Sequence, residues 1–244
     1  MRVALLSDMH GNAVAFRTAL ADLERVEPDL IVSLGDVAQG GPQPDECVRI
    51  LRELGCRCVF GNSDAFLLDL DLDLGEEAGM LDEERIEQML EVGRWSQEQL
   101  GEEGLAFLRA FEPTVEIDLA GQRLVCCHAT PTSNEAVVLP ATPPEEIPVQ
   151  GDVVAAGHVH LQWLRRVSGV LWLCVGSVGL VYEHKEPLDD VPFLPVSEYA
   201  VLTAGDGRLA VEFRRIPFDV DELIEAARLE GFPGVDRWAP MWQR

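Results

Sequence analysis

The hydrophobic pattern of residues 1–60 predicts a parallel sheet with crossover helices. Short apolar runs at 3–6, 30–34 and 56–60 are typical of buried strands. Between these runs, apolar residues recur at helical spacing: Phe16, Ala19, Leu20 and Leu23 in the first interval, and Val48, Leu51 and Leu54 in the second. Strands that alternate with helices favour a parallel sheet, and such sheets bind ligands beyond the carboxyl ends of their strands.

The chain after residue 112 is richer in strands. Apolar or alternating runs predict seven of them, at 115–119, 124–127, 153–156, 163–167, 170–175, 199–203 and 209–215. Gly121-Gln122, Ser168-Gly169 and Asp206-Gly207 are typical turns between them, and a last helix is predicted at 220–229. The predicted fold is α/β (α+β), with two packed mixed sheets flanked by helices.

Residues 64–112 form a polar, helical stretch between these two parts. Ten acidic residues and one basic residue, Arg85, lie between Asp69 and Glu91. A solvated helical face is the expected structure, and an interaction patch is the alternative.

The amino-acid composition is that of an ordinary globular protein. The chain has 244 residues, of which 47% are hydrophobic and 25% charged, as in ordinary globular proteins. The apolar run near the N-terminus is too short, and too interrupted by polar residues, to be an export signal. The six cysteines include no CxxC pair. We therefore expect a cytoplasmic protein with reduced thiols.

The net charge of the chain limits the classes of partner that it can bind. There are 43 acidic and 19 basic residues, for a net charge of −24. Such a surface repels nucleic-acid backbones and anionic lipid headgroups, so we expect neither long nucleic acid nor a membrane as partner. A phosphate-cleaving enzyme is still allowed if the site supplies local positive charge.

Aspartate, asparagine and histidine side chains concentrate at the ends of the predicted strands. Seven potential metal ligands lie there: Asp8, His10, Asp36, Asn62, His128, His158 and His160. Strand alternation predicts that the two members of Asp8/His10 and of His158/His160 point the same way. Imidazole with carboxylate and amide oxygen suits Mn, Fe, Zn, Ni or Co. Seven ligands exceed one tetrahedral site and suit two metals about 3.5–4 Å apart that share a carboxylate.

These residues lie in motifs that resemble a known family. SDMHGN (7–12), GD (35–36), GNSD (61–64), HAT (128–130) and GHVH (157–160) are similar to the ordered motifs of the calcineurin-like metallophosphoesterases, and more closely to their small prokaryotic phosphodiesterase branch. The resemblance implies an αββα sandwich, which we expect as a single domain over 1–244. It also implies two divalent transition metal ions, with Mn²⁺ favoured.

The resemblance assigns the ligands to two sites. One metal would be held by Asp8, His10 and His160, and the other by Asn62, His128 and His158. Asp36 would bridge the two metals, and a bridging hydroxide would attack phosphorus. We expect Asp36, Asn62 and Asp64 to be catalytic residues. Asp64 would act by orienting a metal ligand, and loop capping is the alternative role.

Three departures from the family pattern affect the expected chemistry. Ser63 stands where the family commonly has a histidine that protonates the leaving group. No arginine follows Asp36 closely, which counts against a phosphoprotein substrate. The segment Cys174-Val175-Gly176-Ser177-Val178-Gly179 keeps only the second half of a motif that close relatives carry as Asn-Pro-Gly-Ser-Val-Gly.

Three further residues are candidates for substrate binding. Asn12 begins the first helix and is expected to be its N-cap, with a phosphate contact as a second role. Ser63 follows a ligand, and Thr130 either donates to substrate or caps a turn. His184 lies in a charged stretch and is expected to be an exposed structural residue, although it is also an alternative proton donor.

The predicted function is hydrolysis of a small phosphodiester, or of a small phosphomonoester, by a dinuclear metal site. The alternatives are a scaffold on the same fold and a slow nucleotide sensor. The sequence 237–244 carries Trp238, Met241 and Trp242. This tail is expected to dock on the protein's own core or, alternatively, to form a homodimer interface.

Overall fold

A computed structural model describes residues 1–71, 83–183 and 191–242. Its first sheet has five strands in the order β12-β11-β1-β2-β3. The first two strands of this order come from residues 208–217 (β12) and 196–205 (β11), and the other three come from residues 2–58. β1 (Arg2–Leu6), β2 (Leu30–Ser33) and β3 (Arg57–Cys58) run parallel, and α1 (Ala13–Val26) and α2 (Pro44–Leu54) connect them. This is the predicted crossover arrangement.

The register of these three strands brings their carboxyl ends to one level. Leu6 lies opposite Ser33, and Ser33 lies opposite Cys58. β3 is shorter than the predicted strand 56–60. Val59 still donates its backbone N–H to the Ser33 carbonyl oxygen of β2, but its bridge is an isolated one to Glu112. The loops that follow all three strands therefore start at the same edge of the sheet.

Two strands late in the chain complete the first sheet on the side of β1. β11 (Val196–Gly205) pairs antiparallel with β1, with Ala200 opposite Leu5. β12 (Arg208–Pro217) forms the outer antiparallel strand. Both are longer than predicted, since the hairpin pairs continuously from Val196↔Pro217 to Gly205↔Arg208.

The second sheet has five strands in the order β4-β5-β6-β8-β7. They are β4 (Val115–Leu119), β5 (Gln122–Cys126), β6 (Val153–Ala156), β7 (Gln162–Val167) and β8 (Val170–Val175). β5, β6 and β8 are parallel, and β4 and β7 are antiparallel to their neighbours. A short ribbon of β9 (Val181–Tyr182) and β10 (Phe193–Leu194) was not predicted, because two-residue strands leave no hydrophobic pattern.

The two sheets pack face to face with helices outside. Leu5 and Leu202 of the first sheet share a buried cluster with Leu124 and Leu173 of the second. α1 and α2 cover the other face of the first sheet, where Phe16 and Leu51 pack with Tyr199. The fold is thus the predicted αββα sandwich.

The remaining α-helices within the described ranges are α3 (Asn62–Leu68), α4 (Glu83–Arg109), α5 (Val220–Leu229) and α6 (Val235–Trp238). The polar stretch is helical in α3 and α4, with a break at Gly101, where φ is +57°. Acidic residues Glu83, Glu84, Glu87 and Glu91 are exposed, as expected for a solvated face. Residues 72–82 of the acidic stretch lie outside the described residues.

Two general features complete the fold. All six cysteines are free, and five of them are buried. Among the helices of the described ranges, none combines the length and the apolar character that a bilayer crossing requires.

Candidate metal centre

The seven candidate ligands converge, although for a different reason than strand alternation. β1 ends at Leu6 and β6 at Ala156, so both histidine-containing pairs lie in loops beyond the strands. Five ligands have left-handed backbone: Asp8 (φ 56°), His10 (46°), Asp36 (56°), His158 (68°) and His160 (50°). The alternation argument was therefore wrong, because these residues are not in extended conformation. Strained backbone of this kind clusters at functional sites.

Two glycines let the ligand loops approach one another. A Cβ at Gly61 would lie 2.0 Å from Asp36 Oδ1, and a Cβ at Gly157 would lie 2.5 Å from Asp8 Oδ2. Any side chain at these positions would displace a ligand carboxylate. The sequence pattern in which a glycine precedes a ligand thus has a steric cause.

The first group of ligands is Asp8, His10 and His160. The Nε2 atoms of His10 and His160 lie 3.1 Å apart, and Asp8 Oδ1 lies 3.2 Å from His160 Nε2 and 3.7 Å from His10 Nε2. All three residues are buried. This is the set that the resemblance assigned to one metal.

The second group centres on Asn62. Its Oδ1 lies 2.9 Å from His128 Nε2 and 3.1 Å from His158 Nδ1. Asp36 lies between the two groups, with Oδ2 3.8 Å from His10 Nε2 and 3.4 Å from His128 Nε2. Asp8 is also close enough to group with Asp36 and His128. A carboxylate therefore stands where the two sets of ligands meet.

The outer contacts of the imidazoles fix which nitrogen faces the site. Nδ1 of His10, His128 and His160 lies 2.8, 2.7 and 2.6 Å from the carbonyl oxygens of Gln39, Leu34 and Leu180. In His158 the roles are reversed, since Nε2 lies 2.9 Å from the Glu135 carbonyl oxygen. A carbonyl oxygen accepts only from an N–H, so in each neutral ring the nitrogen that faces the cluster carries a lone pair.

These inward lone pairs make the cluster a fit for cations. Neutral imidazole nitrogens that face each other at 3.1 Å, or that face an amide oxygen at 2.9 Å, repel unless a positive charge lies between them. Asp8 Oδ1 is buried and has no hydrogen-bond partner among the described residues. Nitrogen and oxygen donors with this arrangement suit transition metal ions. The residues thus fit the metal ions that the resemblance implies.

The electrostatics of the cluster draw in positive charge, which in the absence of a metal ion is a proton on His128. Burial raises the pKa of Asp36, but His128 and His10 outweigh it and lower that pKa to about 2. Burial lowers the pKa of His128, but Asp36 outweighs it and raises that pKa to about 10. Burial, together with His128, lowers the pKa of His158 to about 4. The carboxylates therefore stay ionised and attract positive charge into the site.

Asp64 organises the loops without facing the cluster. Its Oδ2 accepts hydrogen bonds from the backbone N–H groups of Asp36 (2.9 Å) and Gly61 (3.0 Å), and its Oδ1 accepts one from Val37 (3.0 Å). Burial and the nearby Asp36 raise its pKa to about 6. The carboxylate of Asp64 thus fixes the ligand-bearing segments after β2 and β3 relative to each other.

The three candidate substrate residues already bond to the protein. Asn12 Oδ1 accepts from the Ala15 N–H as the N-cap of α1, and its Nδ2 donates to the Gly179 carbonyl oxygen at 2.8 Å. Thr130 Oγ1 accepts from the Ser133 N–H at 3.0 Å within a turn. The Ser63 hydroxyl donates to Asp36 Oδ2. Substrate contact by these residues remains a prediction, and His184 lies outside the described residues.

Ser177 is a supporting residue that was not singled out from the sequence. Its hydroxyl donates to the Asp8 carbonyl oxygen at 2.8 Å and accepts from the Leu180 N–H. Val178 and Gly179 donate backbone hydrogen bonds to the carbonyl oxygens of Ser7 and Asp8. The half of the late motif that this chain keeps therefore holds the Asp8 loop. The departure at Cys174-Val175 had already drawn attention to this segment, and it was the signal that could have identified Ser177.

Comparison with known proteins shows the family to which this chain belongs. The family model of the calcineurin-like phosphoesterase superfamily domain matches residues 1–191, a range that contains all seven candidate ligands. An uncharacterised protein of Methanocaldococcus jannaschii is 25% identical over 237 residues, covering 91% of this chain and 90% of that protein.

Solved structures share the fold over nearly the whole chain. A metallophosphoesterase from Sphaerobacter thermophilus is 24% identical with a TM-score of 0.69, covering 99% of both chains. A hypothetical protein from Pyrococcus horikoshii is 17% identical with a TM-score of 0.77, covering 98% of this chain and 97% of that one. The family match extends over more than half of the chain, so the protein belongs to the calcineurin-like phosphoesterases, a superfamily of metal-dependent hydrolases.

Proposed function

We propose that this protein is a phosphodiesterase that binds two divalent metal ions, with Mn²⁺ favoured, and hydrolyses a small phosphate ester in the cytoplasm. The observation that carries the proposal is the orientation of the four histidines. Each ring anchors one nitrogen on a backbone carbonyl and directs the other into a cluster with Asp8, Asp36 and Asn62.

Two bound divalent ions would polarise phosphoryl oxygens and lower the pKa of water, so that hydroxide is available near neutral pH. The chain's own residues would set the geometry for that chemistry. Asp8, His10 and His160 would hold one ion, Asn62, His128 and His158 the other, and Asp36 would contact both. Ser63 and Asp64 would orient Asp36, through its carboxylate and its backbone N–H respectively.

The charge of the chain supports a small substrate. The net charge is −24, so a polyanion is repelled by most of the surface. A small ester meets mainly the local field of the cluster, where two divalent ions would concentrate positive charge. The absence of an arginine soon after Asp36 and of a histidine at position 63 favours a diester with a good leaving group over a phosphoprotein.

The test is metal content together with turnover. After reconstitution with Mn²⁺, we expect elemental analysis to approach two ions per chain, and hydrolysis of bis(p-nitrophenyl) phosphate to depend on that loading. Asp36→Asn should reduce occupancy of both sites, whereas Asn62→Ala should mainly weaken one. Asp45→Asn, on an exposed position of α2, is the matched control. Saturation at one ion would overturn the dinuclear proposal, and full loading without turnover of any ester would overturn the enzymatic one.

A further inference from the structure

Among the four candidate histidine ligands, His158 has the most exposed hydrogen bond on the side that faces away from the cluster. Its Nε2 lies 2.9 Å from the carbonyl oxygen of Glu135, an exposed residue. The corresponding bonds of His10 and His128 are buried, and that of His160 is partly buried. Because water competes for an exposed carbonyl oxygen, the orientation of the His158 ring depends on how firmly Glu135 is held.

Glu135 belongs to a loop that connects two parallel strands, which we call the 131–150 loop. Residues 131–150 all lie in the described part of the chain, between β5 and β6, and their helical residues are Pro144–Glu146, a single 3-10 turn. Parallel neighbours are usually connected by an α-helix, whose own hydrogen bonds fix its backbone. The 131–150 loop instead has to be held by contacts with the rest of the protein.

The guanidinium of Arg165 fastens the middle of this loop. Arg165 is half-buried on β7, the edge strand of the second sheet. Its Nη1 donates to the carbonyl oxygens of Pro140 and Thr142, at 2.7 and 2.9 Å. Thr142 Oγ1 in turn accepts from the Leu139 N–H at 2.9 Å. Hydrogen bonds from a charged donor are stronger than neutral ones, so Arg165 is a firm attachment point close to Glu135 in the chain.

Two apolar residues complete the attachment. Val138 and Ile147 are 5% and 4% exposed and share a buried cluster with Trp163 and Trp172. The two indole rings are stacked, with centroids 5.0 Å apart and planes at 5°. Trp172 Nε1 also donates to the Pro148 carbonyl oxygen at 3.1 Å. Side chains of β7 and β8 thus hold both halves of the 131–150 loop.

We propose that Arg165 is a positioning residue for the ion that Asn62, His128 and His158 would hold. Arg165 fastens the 131–150 loop, the loop places the Glu135 carbonyl oxygen, and this oxygen keeps the Nδ1 lone pair of His158 directed at the cluster. The inference rests on the proposed function, because it assigns His158 to one of two ions. The affinity for the other ion, whose ligands bond to other segments, should not depend on Arg165.

Titration of the metal-free protein with Mn²⁺ in a calorimeter tests this role. In Arg165→Ala we expect one ion to bind about tenfold more weakly than in the wild type, at the lower end of the range for loss of an outer contact. The other ion should bind unchanged. Arg165→Lys keeps a charged donor and should recover most of the affinity. Arg166→Ala is the matched control, because Arg166 is the exposed neighbour on β7 and donates to the Gly169 carbonyl oxygen in the β7–β8 turn.

Two further measurements separate positioning from a general loss of stability. In the metal-free protein labelled with ¹⁵N-histidine, Arg165→Ala should shift the ring resonances of His158, which are identified by their loss in His158→Ala. The ring resonances of His10 should stay in place. In the His158→Ala background, Arg165→Ala should cause no further loss of metal affinity.

The outcomes distinguish this role from the proposed function. Unchanged affinity for every ion in Arg165→Ala, an unshifted His158 ring, an equal loss in Arg166→Ala, or a further loss in the His158→Ala background would each overturn the positioning role. If the wild type binds a single ion or hydrolyses no ester, but Arg165→Ala still shifts the His158 ring and weakens an ion through it, the positioning role stands and the proposed function fails.

Discussion

The hydroxyl of Ser63 donates a hydrogen bond to Asp36 Oδ2 at 2.8 Å, and the Ser63 backbone N–H donates one to Asp36 Oδ1 at 2.9 Å. Asp36 Oδ2 is the same atom that faces His10 and His128. Ser63 therefore positions the carboxylate between the two ligand groups. Its hydroxyl is far too weak an acid to take over the proton donation that the family commonly assigns to histidine at this position.

Ser63 leads to a prediction about leaving groups. A positioned general acid contributes about 10²–10⁴-fold. Without one, we expect clear activity on aryl phosphodiesters, lower activity on alkyl or nucleoside esters, and a steep dependence of kcat/KM on leaving-group pKa. Ser63→His should flatten that dependence if the new ring reaches the leaving oxygen.

The kinetic comparison needs two further variants. Ser63→Ala removes the hydrogen bond to Asp36 and should weaken metal affinity about 10–100-fold, the usual cost of losing such an outer contact, while the dependence stays steep. His184→Ala tests the alternative donor. A flat wild-type dependence that becomes steep in His184→Ala would show that the acid had moved rather than been lost.

Glu198 predicts a pH dependence of stability away from the metal cluster. It is 6% exposed, and burial raises its pKa from 4.5 to about 7 against the opposing effect of Arg215. The folded state therefore holds a proton that the unfolded state releases between these values. That contribution is complete below about pH 4.5 and is lost as the pH rises through 7, by on the order of 1–3 kcal/mol.

The measurement for Glu198 is urea unfolding across this pH range. Glu198→Gln keeps the neutral form at every pH, so its free energy of unfolding should decline less between about pH 5 and 8 than that of the wild type. If the free energy of unfolding changes with pH equally in the two proteins, the assignment to Glu198 is wrong. Glu212→Gln, on the exposed part of β12, is a control that should leave the slope unchanged.

A partly buried ion pair connects α1 to the hairpin at the edge of the first sheet. Arg214 Nη2 donates to both oxygens of Asp22, at 2.8 and 2.7 Å, and the Tyr199 hydroxyl donates to Asp22 Oδ2 at 2.6 Å. Asp22 is 8% exposed. Removal of either donor leaves a buried carboxylate under-bonded.

We expect Tyr199→Phe to lower the free energy of unfolding by about 2 kcal/mol, the cost of one hydrogen bond to a charged group. Arg214→Ala should cost more, about 3 kcal/mol, because the carboxylate of Asp22 loses its counter-charge. Urea unfolding measures both. Arg208→Ala, at the exposed start of β12, is the control, and losses no larger than that control's would refute the pair's role.

The C-terminal tail docks on the protein's own core. Trp242 is 4% exposed and packs against Phe193, Phe218 and Trp238. Met241 remains 40% exposed. A homodimer through this tail remains a prediction, and Met241→Asp tests it without uncovering Trp242. If the tail forms the interface, light scattering should show that this variant is a monomer and the wild type a dimer; equal masses would contradict it.

The sequence predicted element bounds best where a periodic run of hydrophobic residues is flanked by turn residues. The strands β4, β6 and β8 and the helix α5 have the predicted bounds, because each is a clean apolar or amphipathic run between turn residues. The candidate ligand residues could be picked out because they follow glycines or lie just beyond the ends of strands.

Other features were not predictable because they depend on long-range contacts. The left-handed backbone of His10 and His160 is imposed by loops that meet only in the folded chain, so the sequence predicted their convergence for the wrong reason. The burial of the Gln39 side chain, whose Oε1 has no hydrogen-bond partner among the described residues, also depends on contacts that form only in the folded chain. No local pattern records such a contact.

The left-handed ligand residues have a consequence for how the site acquires metal. Backbone hydrogen bonds between loops, such as Asp8 N–H to the Gly35 carbonyl and His10 N–H to that of Asp36, hold the strained segments. Each left-handed residue costs roughly 1–2 kcal/mol, and the fold supplies this energy. The cluster would then be preorganised for a divalent ion, and metal binding would not have to supply the energy of the strained backbone, so removal and reloading of metal should leave the fold of these loops unchanged.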